Sequence, residues 1–94
     1  MNAFKTQKIR NKYHMHWQEE YILGYVDEQG STNTTSILQN AKQIMSLATT
    51  HKYLTNLLSR GLLKQRRNPQ DKRITIITLS KQAVDFIKEL SHAN

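Results

Sequence analysis

Residues 46–73, SLATTHKYLTNLLSRGLLKQRRNPQDKR, decide the fold. Ser46 is placed to cap a helix, because its hydroxyl can accept a free amide of the first turn. Leu47, Thr50, Leu54, Leu57 and Leu58 follow at spacings of three and four, which predicts an apolar stripe facing a core. The opposite face carries Thr49, His51, Lys52, Thr55 and Asn56, all polar and none acidic. Gly61 can adopt the left-handed conformation that ends a helix, and a cationic strand follows it.

That strand opens a hairpin. Residues 62–67 and 73–79 are the expected strands, the second rich in β-branched and apolar residues through Ile74, Ile76, Ile77 and Leu79. Asn68-Pro69-Gln70-Asp71 between them is a turn, with proline fixing one φ and the Asn and Asp side chains able to bond their own backbone. Arg66, Arg67, Lys72 and Arg73 flank it. Like charges facing each other across a hairpin repel, so such a cluster points to phosphate binding. The plainer alternative is a solvated edge that uses charge to resist aggregation.

The run RGLLKQRRNPQDKRITIITLSKQA, residues 60–83, resembles the wing region of the MarR-type winged helix-turn-helix family. The matching features are Gly61-Leu62-Leu63, Arg66-Arg67, Asp71-Lys72-Arg73 and Leu79-Ser80. The likeness extends over residues 17–90 and places the start of a recognition helix at Ser46. It implies a DNA-binding regulator in which Arg73 reaches the minor groove and Asp71 steadies the wing. Family members dimerise through a long N-terminal helix and two further C-terminal helices. Here a single helix fits after the wing, so the expectation is a minimal core lacking that long scaffold.

Charge supports the same direction. Fourteen Lys and Arg against seven Asp and Glu give +7 and a pI near 9.9, which suits a polyanionic partner. No acid occurs between residues 29 and 70, so the charge is segregated. The chain has no cysteine, which excludes disulfides and thiolate metal sites. It also has no run long enough for a membrane span or a signal core. The expectation is a cytoplasmic, nucleoid-associated protein with no membrane partner.

Taken in order, residues 1–13, MNAFKTQKIRNKY, read as a basic N-terminal tail or arm, with a helix that pairs with another subunit as the alternative, and residues 14–94 as the winged-helix domain. The first helix is expected over residues 16–28, with Trp17, Tyr21, Ile22, Tyr25 and Val26 inward. Gly24 within it costs about 1 kcal/mol against Ala, which points to close packing there. Residues 31–35 have room for a short strand that joins the wing sheet. Residues 36–41 form the second helix, with Ser36-x-x-Gln39 as a capping box and Ile37, Leu38 and Ala41 inward. A turn through Lys42-Gln43 then buries Ile44 and Met45 and completes a helix-turn-helix. After the wing, Ser80 caps a helix running to residue 91. Phe86, Ile87 and Leu90 there either cover the core or join a homodimer surface with the N-terminal segment.

The fold class is therefore α+β, mostly α: a winged helix-turn-helix with a three-helix core, a two- or three-stranded β wing and a C-terminal helix. Catalysis is not expected. His14, His16, His51 and His92 are the only imidazoles, and no glycine-rich phosphate loop or nucleophile elbow accompanies them. No metal or cofactor is implied. The expected partner is double-stranded DNA, with Thr49, His51 and Lys52 meeting base edges. Thr55 and Asn56 are second choices on phosphate, and Tyr53 either packs or bonds a phosphate. Arg66, Arg67, Lys72 and Arg73 hold the flanking backbone, while Arg60 and Lys64 are weaker candidates. Transcriptional regulation is the first functional expectation. The alternatives are a plasmid or phage replication or partition factor and a winged-helix module for protein interaction.

Overall fold

The computed structural model describes residues 3–93; Met1 and Asn2 of the expected tail, and Asn94, lie outside the described residues. Five helices and one antiparallel hairpin follow in the order α1 Ala3–Lys12, α2 Trp17–Gln29, α3 Thr34–Ala41, α4 Leu47–Ser59, β1 Leu63–Arg67, β2 Thr75–Leu79 and α5 Lys81–His92. This is the expected winged helix-turn-helix. Helices α2, α3 and α4 enclose a core of Ile22, Leu23, Val26, Ile37, Leu54 and Leu57, closed by Leu62, Leu63, Ile77 and Phe86. Each such side chain, fully buried, stabilises the fold by roughly 1.5–3 kcal/mol.

The caps show why the helices begin where they do. Ser46 Oγ accepts the Thr49 amide at 3.1 Å, and Ser80 Oγ accepts that of Ala83 at 3.2 Å, both as the sequence predicts. The cap of α3 is different. Asn33 Oδ1 accepts the Ser36 amide at 2.8 Å, so the helix starts at Thr34 and the expected Ser36-x-x-Gln39 box does not form. Asn is as good an N-cap as Ser, and it lies three residues earlier. At α2 the cap is His16, with Glu19 closing a capping box.

Residues 31–35 contribute a single β-bridge instead of a strand. Thr32 donates to Ile77 O at 2.9 Å and accepts from Ile77 N at 2.7 Å, which anchors the wing to the helical body. The third strand is one residue long.

Several expectations are corrected. Residues 3–12 of the expected tail form helix α1, which packs on α5. Tyr13 meets the Phe86 ring edge-on at 5.0 Å, Lys12 pairs with Glu89 at 3.1 Å, and Arg10 pairs with Glu20 at 2.7 Å. Trp17 is 57% exposed rather than core, because the inward arc of α2 runs through Ile22, Leu23 and Val26. Ile44 and Leu47 are also exposed: α3 has ended at Ala41, and in the turn beyond it Met45 enters the core while Ile44 stays outside. Phe86 is wholly buried and belongs to the core, whereas Ile87 and Leu90 are half-buried. Around Gly24 nothing lies within 4 Å of where a Cβ would stand, so close packing does not explain it. No helix among the described residues is long and apolar enough to cross a membrane.

Candidate nucleic-acid interface

Helix α4 turns Thr50, Leu54 and Leu57 into the core, which leaves His51, Lys52, Thr55 and Asn56 exposed on the outer side. Thr49 is half-buried, and its hydroxyl accepts that of Ser46 at 2.9 Å. Tyr53 sits at the boundary. Its ring lies 5.6 Å from the His16 imidazole, and the Lys52 ammonium stands 5.5 Å from its centre. The ring is half-buried against these neighbours.

The wing register settles how its charges are arranged. Arg66 lies opposite Ile76, Lys64 opposite Thr78 and Arg67 opposite Thr75. The expected repulsion between facing cations therefore does not arise within the ladder; each basic residue of β1 faces a neutral or apolar partner. Strand β2 begins at Thr75, two residues later than predicted, because Arg73 and Ile74 belong to the turn.

That turn is built by side chains. Asn68 Oδ1 accepts the Gln70 amide at 2.9 Å, and Asp71 Oδ1 accepts the Arg73 amide at 3.1 Å. Arg73 also closes a two-armed ion pair on the same carboxylate, Nε to Oδ1 at 3.0 Å and Nη2 to Oδ2 at 3.1 Å. These hydrogen bonds hold the Asp71 carboxyl below its ordinary range and raise the Arg73 guanidinium. Arg67 Nη1 donates to Lys72 O at 3.1 Å across the base of the turn. The Arg73 side chain is 90% exposed, so the pairing fixes its direction without hiding it. Among the described residues, Lys52, Lys64, Arg66 and Lys72 form no ion pair.

Arg60 does something the sequence did not suggest. Its guanidinium turns from the wing to Glu19, Nη1 to Oε2 at 2.9 Å, and donates to the carbonyls of His14 and Tyr13. It is a clamp between α4 and the α1–α2 corner. The capping-box spacing of Glu19 after His16 was the one sequence signal that could have located it.

Residues 5–90 match the family model for the transcriptional regulator SarA/Rot. The chain belongs to that family. Members of the SarA/Rot family are regulators and not enzymes, and the likeness to MarR-type proteins read from the wing holds in three dimensions. A Staphylococcus aureus MepR variant bound to an oligodeoxyribonucleotide superposes with a TM-score of 0.80 at 17% identity, over 94% of this chain and 64% of that one. Regulator Tm0710 from Thermotoga maritima gives 0.83 at 14% identity, over 99% and 64%. A Lactococcus lactis ZitR variant gives 0.71 at 28% identity, over 84% and 52%. The chain thus spans between half and two thirds of the length of these structures. No curated protein sequence matches it.

Proposed function

We propose that this SarA/Rot family member is a sequence-specific double-stranded DNA-binding transcriptional regulator. In this reading the helix over residues 47–60 enters the major groove, and the wing over residues 62–79 lies on phosphates and the minor groove. The observation that carries it is the wing tip. Asp71 spends its charge orienting Arg73, whose side chain stays in solvent on a wing that also exposes Arg66, Arg67 and Lys72. A fixed, exposed guanidinium is suited to insertion into a narrow groove. Thr49, His51 and Lys52 supply base contacts, with Thr55 and Asn56 on flanking phosphate. The MepR variant of the same fold, solved with an oligodeoxyribonucleotide, supports DNA as the partner.

One such unit contacts few bases, so the proposal includes a homodimer through α1 and the exposed side of α5. Two copies would then read half-sites about 34–36 Å apart, one helical turn. A cytoplasmic, nucleoid-associated location follows from the same reading. The exposed Ile44 and Leu47 favour a second reading, a winged-helix module that docks a protein through the same surface.

Selection from a pool of random duplexes, followed by footprinting, separates the two. The DNA reading expects enriched sequences with two-fold symmetry, protected over both half-sites. Recovery of sequences no richer than the starting pool would oppose it.

A further inference from the structure

The leading end of α4 carries apolar side chains that the fold does not use. Leu47, its first residue, is 63% exposed; Ile44, in the turn before it, is 47% exposed; Ala48 is exposed as well. Single exposed leucines are ordinary, but these stand at the helix end that meets base edges in helix-turn-helix proteins. The neighbouring hydroxyls of Ser46 and Thr49 are bonded to each other at 2.9 Å, and Ser46 also holds the Thr49 amide. Leu47, His51 and Thr55 lie four apart on one helical row, all exposed, so Leu47 extends the row that carries the polar base readers.

We infer that Leu47, assisted by Ile44, reads thymine by packing on its C5-methyl group in the major groove. The inference rests on the DNA-binding reading of α4. In the major groove the C5-methyl of thymine is the apolar feature of a base-pair edge, and apolar side chains are its natural partners. The surroundings favour DNA over a protein as the occupant. No acid lies between residues 29 and 70, and Lys42 and Lys52, both exposed, belong to the same acid-free stretch. Ile44 and Leu47 specify bases in the major groove, where the phosphate contacts of the wing only position the protein on the backbone.

The test uses the duplex that wild-type protein selects, synthesised again with uracil in place of thymine. Uracil keeps every Watson–Crick hydrogen bond and removes the C5-methyl alone. Wild type should bind the uracil duplex more weakly, by roughly four-fold for each methyl contacted. Leu47→Ser should bind the thymine and uracil duplexes equally, and Leu47→Met should keep most of the preference. Because Leu47 is exposed, both variants should melt close to wild type, which separates lost recognition from lost folding. Equal wild-type affinity for both duplexes, or full discrimination by Leu47→Ser, overturns the inference while leaving DNA binding intact. Failure of wild type to bind any duplex overturns the underlying reading as well, and assigns the patch to a protein partner.

Discussion

Arg60 Nη1 stands 2.9 Å from Glu19 Oε2 and joins the end of the candidate recognition helix to the first turn of α2. The Glu19 side chain is 2% exposed, and its other oxygen takes the His16 amide at 3.2 Å and Nδ1 at 3.0 Å. Three structural segments therefore meet at one carboxylate: the α1–α2 corner, the start of α2 and the end of α4. Its partner arginine sets how α4 leans on the body.

Removing that arginine should be costly. Breaking a buried pair from one side typically costs 3–5 kcal/mol, because the remaining charge is left uncompensated. Arg60 is one-third exposed and water can replace part of it, so Arg60→Met should destabilise by about 2–3 kcal/mol in urea unfolding. A loss below about 0.5 kcal/mol, the range of ordinary surface substitutions, would show that the pair does not hold the helices together.

Gly24 should behave in the opposite sense. It lies in the middle of α2, with open space where a Cβ would go and no left-handed φ to require glycine. Gly24→Ala should stabilise the protein by roughly 0.5–1 kcal/mol, read as a rise in the thermal midpoint. A fall would mean that this position must bend or receive a partner closely.

The wing tip should be insensitive to pH across the physiological range. Arg73 holds the Asp71 pKa below its ordinary value. A carboxylate depressed in the folded state contributes stability that is fully present above its unfolded value of about 4, and lost as pH falls through the lower folded one. Backbone amide signals of Asn68 and of residues 70–74 should stay fixed in NMR spectra from about pH 5 to 8 and move only in stronger acid. Asp71→Asn should shift the Arg73 Nε–H signal at neutral pH. Wing signals that titrate near pH 6 would contradict the ion pair.

How far the sequence revealed this structure depends on which contacts decide each element. The cap at Ser46, the stop at Gly61 and the turn through Asn68 and Asp71 are local chemistry, and they were legible. Helix α1 was not. Phe4, Ile9 and Tyr13 make no convincing stripe, Phe4 is exposed, and the helix is held by Tyr13 on Phe86 and by ion pairs to Glu20 and Glu89. Phe86 and Glu89 are distant in sequence. Trp17 and Leu47 are exposed for a related reason: periodicity locates an apolar face but not where its covering neighbour stops. Of the candidate site, the acid-free face and the wing cations were legible from composition. The diversion of Arg60 to Glu19 was hidden, because a surface-type arginine gives no sign of a buried partner 41 residues away.

Salt dependence of duplex binding tests the central claim most directly. Fluorescence anisotropy of a labelled duplex would be followed across a salt series for wild type and for the double variant Arg66→Ala, Arg73→Ala. With about five phosphates neutralised, log K should fall against log salt with a slope near −4 to −5. The double variant should bind more weakly and lose about two units of that slope, one for each phosphate contact removed. No binding at low salt, or an unchanged slope in the double variant, would contradict a wing that grips the DNA backbone.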